Sequence, residues 1–221
     1  MSNATAVEVL GQPSNDGQHD IDLTTPYVVA VTIEGSCPIL FHRWSNEAVA
    51  EKAKAAKGSA AKKTDNVESY VYRTADGMIG IPGLYLLGSM TDPRNGAAKY
   101  RQDPRSPRKS ALDLFRAGVQ TLTDITPVLV ERGGRHVPAA EWDYLDARRV
   151  TVQRSAITRE RPAVRAGWRA SFELSVMTPE YIPPTLLLDV ITQAGRLVGV
   201  GDFRPTFGRF AVVGWEILNG S

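Results

Sequence analysis

The chain has 221 residues, of which 43% are hydrophobic and 23% are charged, and this suits one globular domain with a substantial core. No apolar run approaches the ~18 residues that a membrane span requires, and the N-terminal residues show no signal-peptide pattern. The single cysteine, Cys37, excludes an intramolecular disulfide and an all-cysteine zinc site. These features predict a cytoplasmic protein.

Charge is spread unevenly, although 26 basic and 24 acidic residues leave a net charge of only +2. Residues 1–24 are polar and carry acidic but no basic side chains, so we expect a flexible acidic tail. Residues 148–169 have the opposite bias and contain one acid, Glu160, and these arginines: Arg148, Arg149, Arg154, Arg159, Arg161, Arg165 and Arg169. Such a block indicates either a polyanionic partner or a solvated arginine face, and composition leaves both open.

Residues 25–221 are predicted to form a single domain that begins with a strand over 27–33, where the side chains are β-branched and apolar. Residues 46–66 are rich in alanine and lysine with almost no apolar face, so we expect a mobile, exposed insertion. Its lysines contact either solvent or a phosphate backbone. Residues 67–81 predict a hairpin, because an Asp-Gly turn separates two apolar runs.

The next elements alternate between helix and strand. A helix is predicted to begin at Pro82 and to continue into Arg101, because proline suits a first helical turn and apolar residues follow at helical spacing. Residues 102–109 are basic and proline-rich, which is typical of a loop. Strands are expected at 119–131, ending in a glycine turn at 133–134.

The C-terminal third is predicted to contain a long hairpin, a helix and a last strand. Strands at 148–157 and 167–177 bracket an arginine-rich connection, which we interpret as the hairpin tip. The apolar run TLLLDVITQAG predicts a helix that ends at Gly195. The final strand is expected over 209–218. This order of elements fits an α+β fold, ferredoxin-like or RRM-like, with helices on one face of a mostly antiparallel sheet.

The most specific segment is the glycine loop, defined here as residues 195–210, which lies between a helix and a strand. Its glycines let the backbone approach another chain or a ligand closely, and its arginines and aromatic residues suit a phosphodiester chain with stackable bases. Dinucleotide-binding glycines follow a strand and open a helix, whereas these glycines follow a helix. The alternative is a tight turn with aromatic residues in the core. Arg204 and Arg209 are candidates for a phosphate or inter-subunit role.

Three further features are candidates for nucleic-acid contact. Trp168, flanked by arginines, is either a stacking platform or a core residue. His42, Arg43 and Trp44 form a candidate nucleic-acid-facing or catalytic triplet, although a lone histidine is more often structural. Asp202 either orients Arg204, which we favour, or binds a metal. Histidine pairs, carboxylate clusters and nucleophile motifs are missing from the sequence, so we expect no catalysis, no metal and no cofactor.

The glycine loop resembles the one near the C-terminus of the RAMP superfamily, the ferredoxin-like proteins that form the backbone of CRISPR effector complexes. Residues 81–88 (IPGLYLLG), leading to 97–100, look like that family's isoleucine-proline-glycine segment and first helix. The sequence is also similar to a group of uncharacterised phage proteins through PILFHRWS at 38–45, the insertion and DFRP at 202–205. Together these resemblances cover about residues 27–218.

The resemblance implies a subunit that binds single-stranded DNA or RNA and associates with further copies of itself as a filament or ring. In that family the first helix and the glycine loop line the groove, and a long hairpin projects over the strand. Combined with the candidates above, the expected nucleic-acid-binding residues are His42, Arg43, Trp44, Lys99, Arg101, Arg148, Arg149, Arg154, Arg159, Arg161, Arg165, Trp168, Gly199, Gly201, Arg204, Phe207, Gly208 and Arg209. Two alternatives stay open: a subunit of a CRISPR-type ribonucleoprotein complex, and a RAMP-like endonuclease that uses His42 or Asp202.

Overall fold

The computed structural model describes residues 25–43, 54, 66–152 and 155–218. The predicted acidic tail, nearly all of the predicted insertion, and the candidate site residues Trp44 and Arg154 lie outside the described residues. Residues 150–152 and 155–157 are described by their backbone alone.

The described part of the chain is an α+β unit. In chain order its elements are β1 (Tyr27–Gly35), β2 (Ile39–Leu40), β3 (Tyr72–Arg73), β4 (Ile79–Pro82), α1 (Gly83–Thr91), β5 (Gln102–Asp103), β6 (Ser106–Ser110), α2 (Leu112–Gly118), β7 (Val119–Thr121), β8 (Ile125–Pro127), β9 (Leu129–Arg132), β10 (Arg135–Pro138), β11 (Tyr144–Val152), β12 (Ser155–Val164), β13 (Arg169–Val176), α3 (Pro184–Leu197) and β14 (Phe210–Leu218). Short 3-10 helices lie at Val67–Tyr70 and Ala97–Tyr100. Each strand pair among the described residues is antiparallel, and this confirms the predicted fold class at that level.

In the main sheet β1 lies between β13 and β14. The strand order is β10-β9-β13-β1-β14, and β7 also pairs with β13. Alternate residues of β1, such as Val29 and Val31, are fully buried, and Phe172 of β13 stands opposite Val31. Because side chains alternate across a strand, this pattern gives the sheet one buried face and one more exposed face.

The helices contribute to the core on the buried face of this sheet. Leu86 of α1, Phe115 of α2 and Val190 of α3 belong to one buried cluster with Val31 and Phe172. The apolar positions of α3 recur at helical spacing, so the helix buries one side against β14 and leaves the other in solvent. Burial of apolar surface between these layers is the main stabilising contribution.

Two helix predictions need correction. The helix expected from Pro82 to Arg101 ends at Thr91 and is followed by a separate 3-10 turn, because the backbone at Asp92 leaves the helical conformation directly before a proline. The helix expected to end at Gly195 continues to Leu197. A Cβ at position 195 would stand 2.2 Å from the carbonyl oxygen of Phe210, so this glycine allows α3 to approach β14 closely.

Some strand predictions are confirmed, and others need new boundaries. The hairpin expected over 67–81 is present as β3 and β4, and the glycine turn at 133–134 joins β9 to β10. Residues 102–109, expected to be a loop, contain the hairpin β5–β6, and α2 was not predicted. The long basic hairpin runs through β11 and β12, which meet between Val152 and Ser155. Of the arginines expected at the tip, Arg159 and Arg161 therefore lie on β12, and Arg165 follows directly after that strand.

None of the helices in the described ranges is both long and apolar enough to cross a membrane.

Candidate nucleic-acid interface

The long hairpin β11–β12 divides its arginines between two faces. Asp146 stands opposite Arg161, and Arg148 stands opposite Arg159. Because paired residues of an antiparallel ladder share a face and neighbours alternate, these four side chains lie together on the inner face. Arg149, one residue on, belongs to the outer face and is exposed.

The inner face packs against the glycine loop. Leu40, Ala163 and Phe207 form a small buried cluster, with Tyr144 and Phe203 packed against it. This second cluster is separate from the main core and joins the base of the hairpin to the glycine loop. It fixes the direction in which the hairpin leaves the domain.

Arginines of the hairpin, rather than bases, cover the aromatic rings of the loop. The guanidinium of Arg148 lies 4.7 Å from the ring centroid of Phe207, and that of Arg161 lies 5.0 Å from the ring centroid of Phe203. Such cation–π contacts contribute about 0.5–2 kcal/mol each, and more when they are desolvated. Phe207 is 7% exposed, so its ring packs within the domain beneath Arg148.

Arg161 and Asp202 form an ion pair at the centre of this arrangement. The Nε of Arg161 donates to Oδ2 of Asp202 at 2.5 Å, and the Arg161 side chain is 2% exposed. Burial alone would raise the pKa of Asp202, but the hydrogen bonds from Arg161 and from the Phe203 backbone, with the charges of Arg161 and His42, hold that pKa below its usual value. The prediction that Asp202 orients Arg204 is therefore wrong, because Asp202 pairs with Arg161.

The glycines bring the loop close to the protein's own backbone. The amide of Gly208 donates to the carbonyl of Pro38, and the amide of Asp202 donates to the carbonyl of Leu40, both at 2.9 Å. Gly208 has a φ of +72°, and a Cβ there would stand 1.7 Å from the carbonyl oxygen of Val200. Gly199 is also buried, with its space taken by Gly208. The loop backbone therefore approaches residues 38–40 and other parts of the loop itself. Gly199 and Gly208 were expected to present their backbone to a nucleic-acid strand, and this expectation needs correction because both glycines are buried against the protein's own backbone.

Trp168 lies in the core. Its side chain is fully buried, and its Nε1–H donates to the carbonyl of Cys37 at 2.9 Å. The indole fills the space beside Gly35, where a Cβ would stand 2.0 Å from its nitrogen. Of the two alternatives for Trp168, the structure shows the core position, because the ring is fully buried.

Three cations predicted to contact nucleic acid, Arg101, Arg148 and Lys99, also make hydrogen bonds within the domain. The guanidinium of Arg101 makes two hydrogen bonds to Asp189 of α3, so it anchors that helix. Arg148 also donates to both carboxylate oxygens of Asp146 at 2.9 Å. Lys99 is exposed, and its ammonium donates to the carbonyl of Arg94 at 3.3 Å.

The other predicted cations keep their charge uncompensated within the part of the chain that the structure describes. Their guanidinium groups have no carboxylate partner there: Arg43, Arg149, Arg159, Arg165, Arg204 and Arg209. Arg165 stacks over the ring of Tyr144 at 5.3 Å, Arg43 stacks over Tyr72 at 5.5 Å, and Arg209 donates to a backbone carbonyl. An exposed arginine without a carboxylate partner is available to pair with phosphate.

A half-open cleft of about 180 Å³ separates the glycine loop from α1. It is lined by His42, Leu84, Tyr85, Gly88, Gly201, Asp202 and Arg204. The structure thus brings together three residues predicted for the site, His42, Gly201 and Arg204, with α1 residues that sequence reasoning missed. Burial, and then the neighbouring Tyr72, raise the pKa of Tyr85, so its hydroxyl stays protonated. The glycine within the apolar helix pattern LYLLG was the only sequence signal for this cleft.

Comparisons with protein-family models and with curated proteins give no match. Among solved structures, the fold is similar to a chain in the cryo-EM structure of the Type III-B Cmr-beta bound to cognate target RNA, with a TM-score of 0.49 and 11% sequence identity. The alignment covers 90% of this chain and 62% of that chain. This chain therefore spans less than two thirds of that neighbour's length.

Proposed function

We propose that this chain binds single-stranded nucleic acid, without catalysing a reaction on it, and that copies assemble side by side along the strand. The proposal includes the ferredoxin-like, RAMP-type architecture that the glycine loop and the IPG segment resemble. The observation that carries it is the long basic hairpin, which is held rigidly at its base and presents uncompensated arginines.

The base of the hairpin is organised in advance of binding. The buried pair of Arg161 with Asp202 and the stacking of Arg148 on Phe207 fix it to the glycine loop. Arg149, which lies beyond that contact, is exposed. A rigid arm reduces the conformational entropy lost on binding, and this favours a role as a clamp on a flexible strand.

Acidic side chains on the main sheet support the same location for the strand. On the exposed face of the main sheet, Ala30 stands between Glu173 of β13 and Glu216 of β14. Both glutamates are exposed and would repel phosphates. We therefore place the strand along the hairpin side, in contrast to sheet-surface binding by RRM domains.

The test is a fluorescence-anisotropy titration of a labelled single strand at several salt concentrations. Each phosphate contact contributes about 0.7 to the slope of log affinity against log salt. The double variant Arg149→Ala/Arg165→Ala should therefore bind more weakly and lower that slope by about 1.4. The matched control is Arg132→Ala/Arg135→Ala, which removes the same charge from the exposed β9–β10 turn and should change both quantities less. Equal slopes for both variants, or no binding by the parent at low salt, would refute the proposal.

An endonuclease is the second candidate, because His42 and Asp202 line the same cleft. A histidine beside a carboxylate is a combination used for proton transfer in strand cleavage. The same titration mixture, incubated with Mg²⁺, distinguishes the two candidates by the length of the recovered strand. An intact strand supports the non-catalytic proposal, whereas shortening that is lost in His42→Ala would replace it with the endonuclease.

A further inference from the structure

The cleft between α1 and the glycine loop has the dimensions of a site for one small ring. Its volume is about 180 Å³, well below the ~300 Å³ at which pockets for whole drug-sized ligands begin. Leu84, which is 67% exposed, and Tyr85 form an apolar and aromatic wall on the α1 side. A planar heterocycle therefore fits this space better than a phosphate or a peptide side chain.

The wall opposite α1 carries an acceptor and a donor side by side. Both carboxylate oxygens of Asp202 together offer about four lone-pair positions, of which Arg161 and the Phe203 amide use two. Its side chain is 32% exposed, so the remaining positions are accessible. Arg204 lines the same cleft and has no carboxylate partner among the residues that the structure describes. The ionised carboxylate of Asp202 also disfavours a phosphate in this cleft, because two anions would repel each other.

We propose that this cleft holds one unstacked nucleobase of the bound strand and prefers bases with an exocyclic amino group to uracil and thymine. The inference rests on the proposed function and names the specificity of that same site. Cytosine presents its amino group as a donor beside ring acceptors, which complements Asp202 and Arg204. In the same orientation, uracil and thymine would turn a carbonyl oxygen toward the Asp202 carboxylate, and they can donate to it only through N3–H, which requires the base to shift in the cleft.

The test compares oligocytidine with oligouridine strands of about 12 nucleotides, within the length that one single-strand-binding domain covers. The two strands differ only in the groups that the proposal invokes, and deoxycytidine and deoxyuridine strands repeat the comparison for DNA. The parent chain should bind the cytosine strand about tenfold more tightly, in the range that one well-placed base contact provides.

Gly88 provides a variant that fills the cleft and leaves its lining in place. A Cβ at Gly88 meets nothing within 4 Å, and the residue lies within α1 and lines the cleft, so the side chain of Gly88→Leu would start in open space at the cleft. Substitution of Asp202 itself would leave the buried Arg161 unpaired and is unsuitable as the main test. Ala117→Leu is the matched control, because it places the same leucine side chain at an exposed position of α2 away from the cleft.

The expected result is that Gly88→Leu removes the preference for cytosine and retains binding to the uracil strand, while Ala117→Leu keeps the preference. If the parent binds both strands equally, or if Gly88→Leu keeps the preference, the inference is wrong and the proposed function still stands. If neither strand binds at low salt, the proposed function fails and the inference fails with it. Thermal melting of each variant confirms that the differences come from the cleft and not from unfolding.

Discussion

The carboxylate of Asp202 pairs with the buried Arg161 and also lines the open cleft. Replacing it with alanine leaves the guanidinium of Arg161 buried without its ion-pair partner, so we expect Asp202→Ala to lower the free energy of unfolding by about 2 kcal/mol or more at pH 7. The folded-state pKa of Asp202 lies below its unfolded value, so this contribution is complete above pH ~4 and is lost as the pH falls through the folded-state pKa. Urea unfolding at several pH values measures it.

The control for Asp202 is a more exposed ion pair. Glu34 and Arg169 are each about a third exposed, and their interaction is screened by water. Glu34→Ala should therefore cost less than about 1 kcal/mol. If Asp202→Ala costs no more than Glu34→Ala, or if the difference from the parent does not shrink in acid, then the Arg161–Asp202 pair does not stabilise the hairpin base.

At the scale of the elements, two helix glycines have opposite environments. A Cβ at Gly195 would collide with the carbonyl oxygen of Phe210, whereas a Cβ at Gly88 would enter open space. Gly195→Ala should therefore lower the melting temperature, because α3 must move away from β14. Gly88→Ala should raise it, since alanine favours a helix by about 1 kcal/mol over glycine. Differential scanning fluorimetry compares the two directly, and a shift of the same sign in both variants would contradict this account.

Some elements of the fold follow from local sequence, and others depend on contacts that the sequence does not show. Strand β1 and the glycine turn at 133–134 follow from local pattern and turn chemistry, and both are present. The role of Gly195 does not follow, because a glycine that ends a helix and one that packs against a strand look alike in sequence. The position of the hairpin was predicted wrongly for a related reason. The arginine-rich residues 158–167 look like a solvated tip in sequence, but residues 158–163 pair with β11, and the glycine loop covers the base of the hairpin.

The positive charge of the candidate site could be predicted from the sequence, but the contacts between its side chains could not. Exposed arginines such as Arg149 follow from composition alone. The pairing of Arg161 with Asp202 joins residues 41 positions apart and depends on the tertiary contact between hairpin and loop. The resemblance implies that the first helix lies beside the glycine loop, but it points to Lys99 and Arg101, whereas the cleft is lined by Tyr85 and Gly88. Long-range juxtaposition is the information that local patterns lack.

At the scale of the whole molecule, the hairpin and the exposed face of the main sheet carry side chains of opposite charge. The hairpin side presents arginines and the exposed sheet face presents Glu173 and Glu216, so a head-to-tail arrangement of copies would bring unlike charges together. Such heterologous contacts do not close on a single pair, and they generate a ring or a filament. This charge distribution supports assembly along a strand as one consequence of the proposed function.

Light scattering after size-exclusion chromatography measures that assembly. We expect one copy on a strand of about 12 nucleotides and several copies on one of about 40 nucleotides, because a single-strand-binding domain covers about 4–16 nucleotides. Arg209→Ala tests the exposed end of the glycine loop: loss of the larger species with retained binding of the short strand would assign Arg209 to the contact between copies, and loss of both would assign it to phosphate. A single copy on the long strand at saturating protein would contradict assembly, because the free nucleotides would then lie open beside an unused interface.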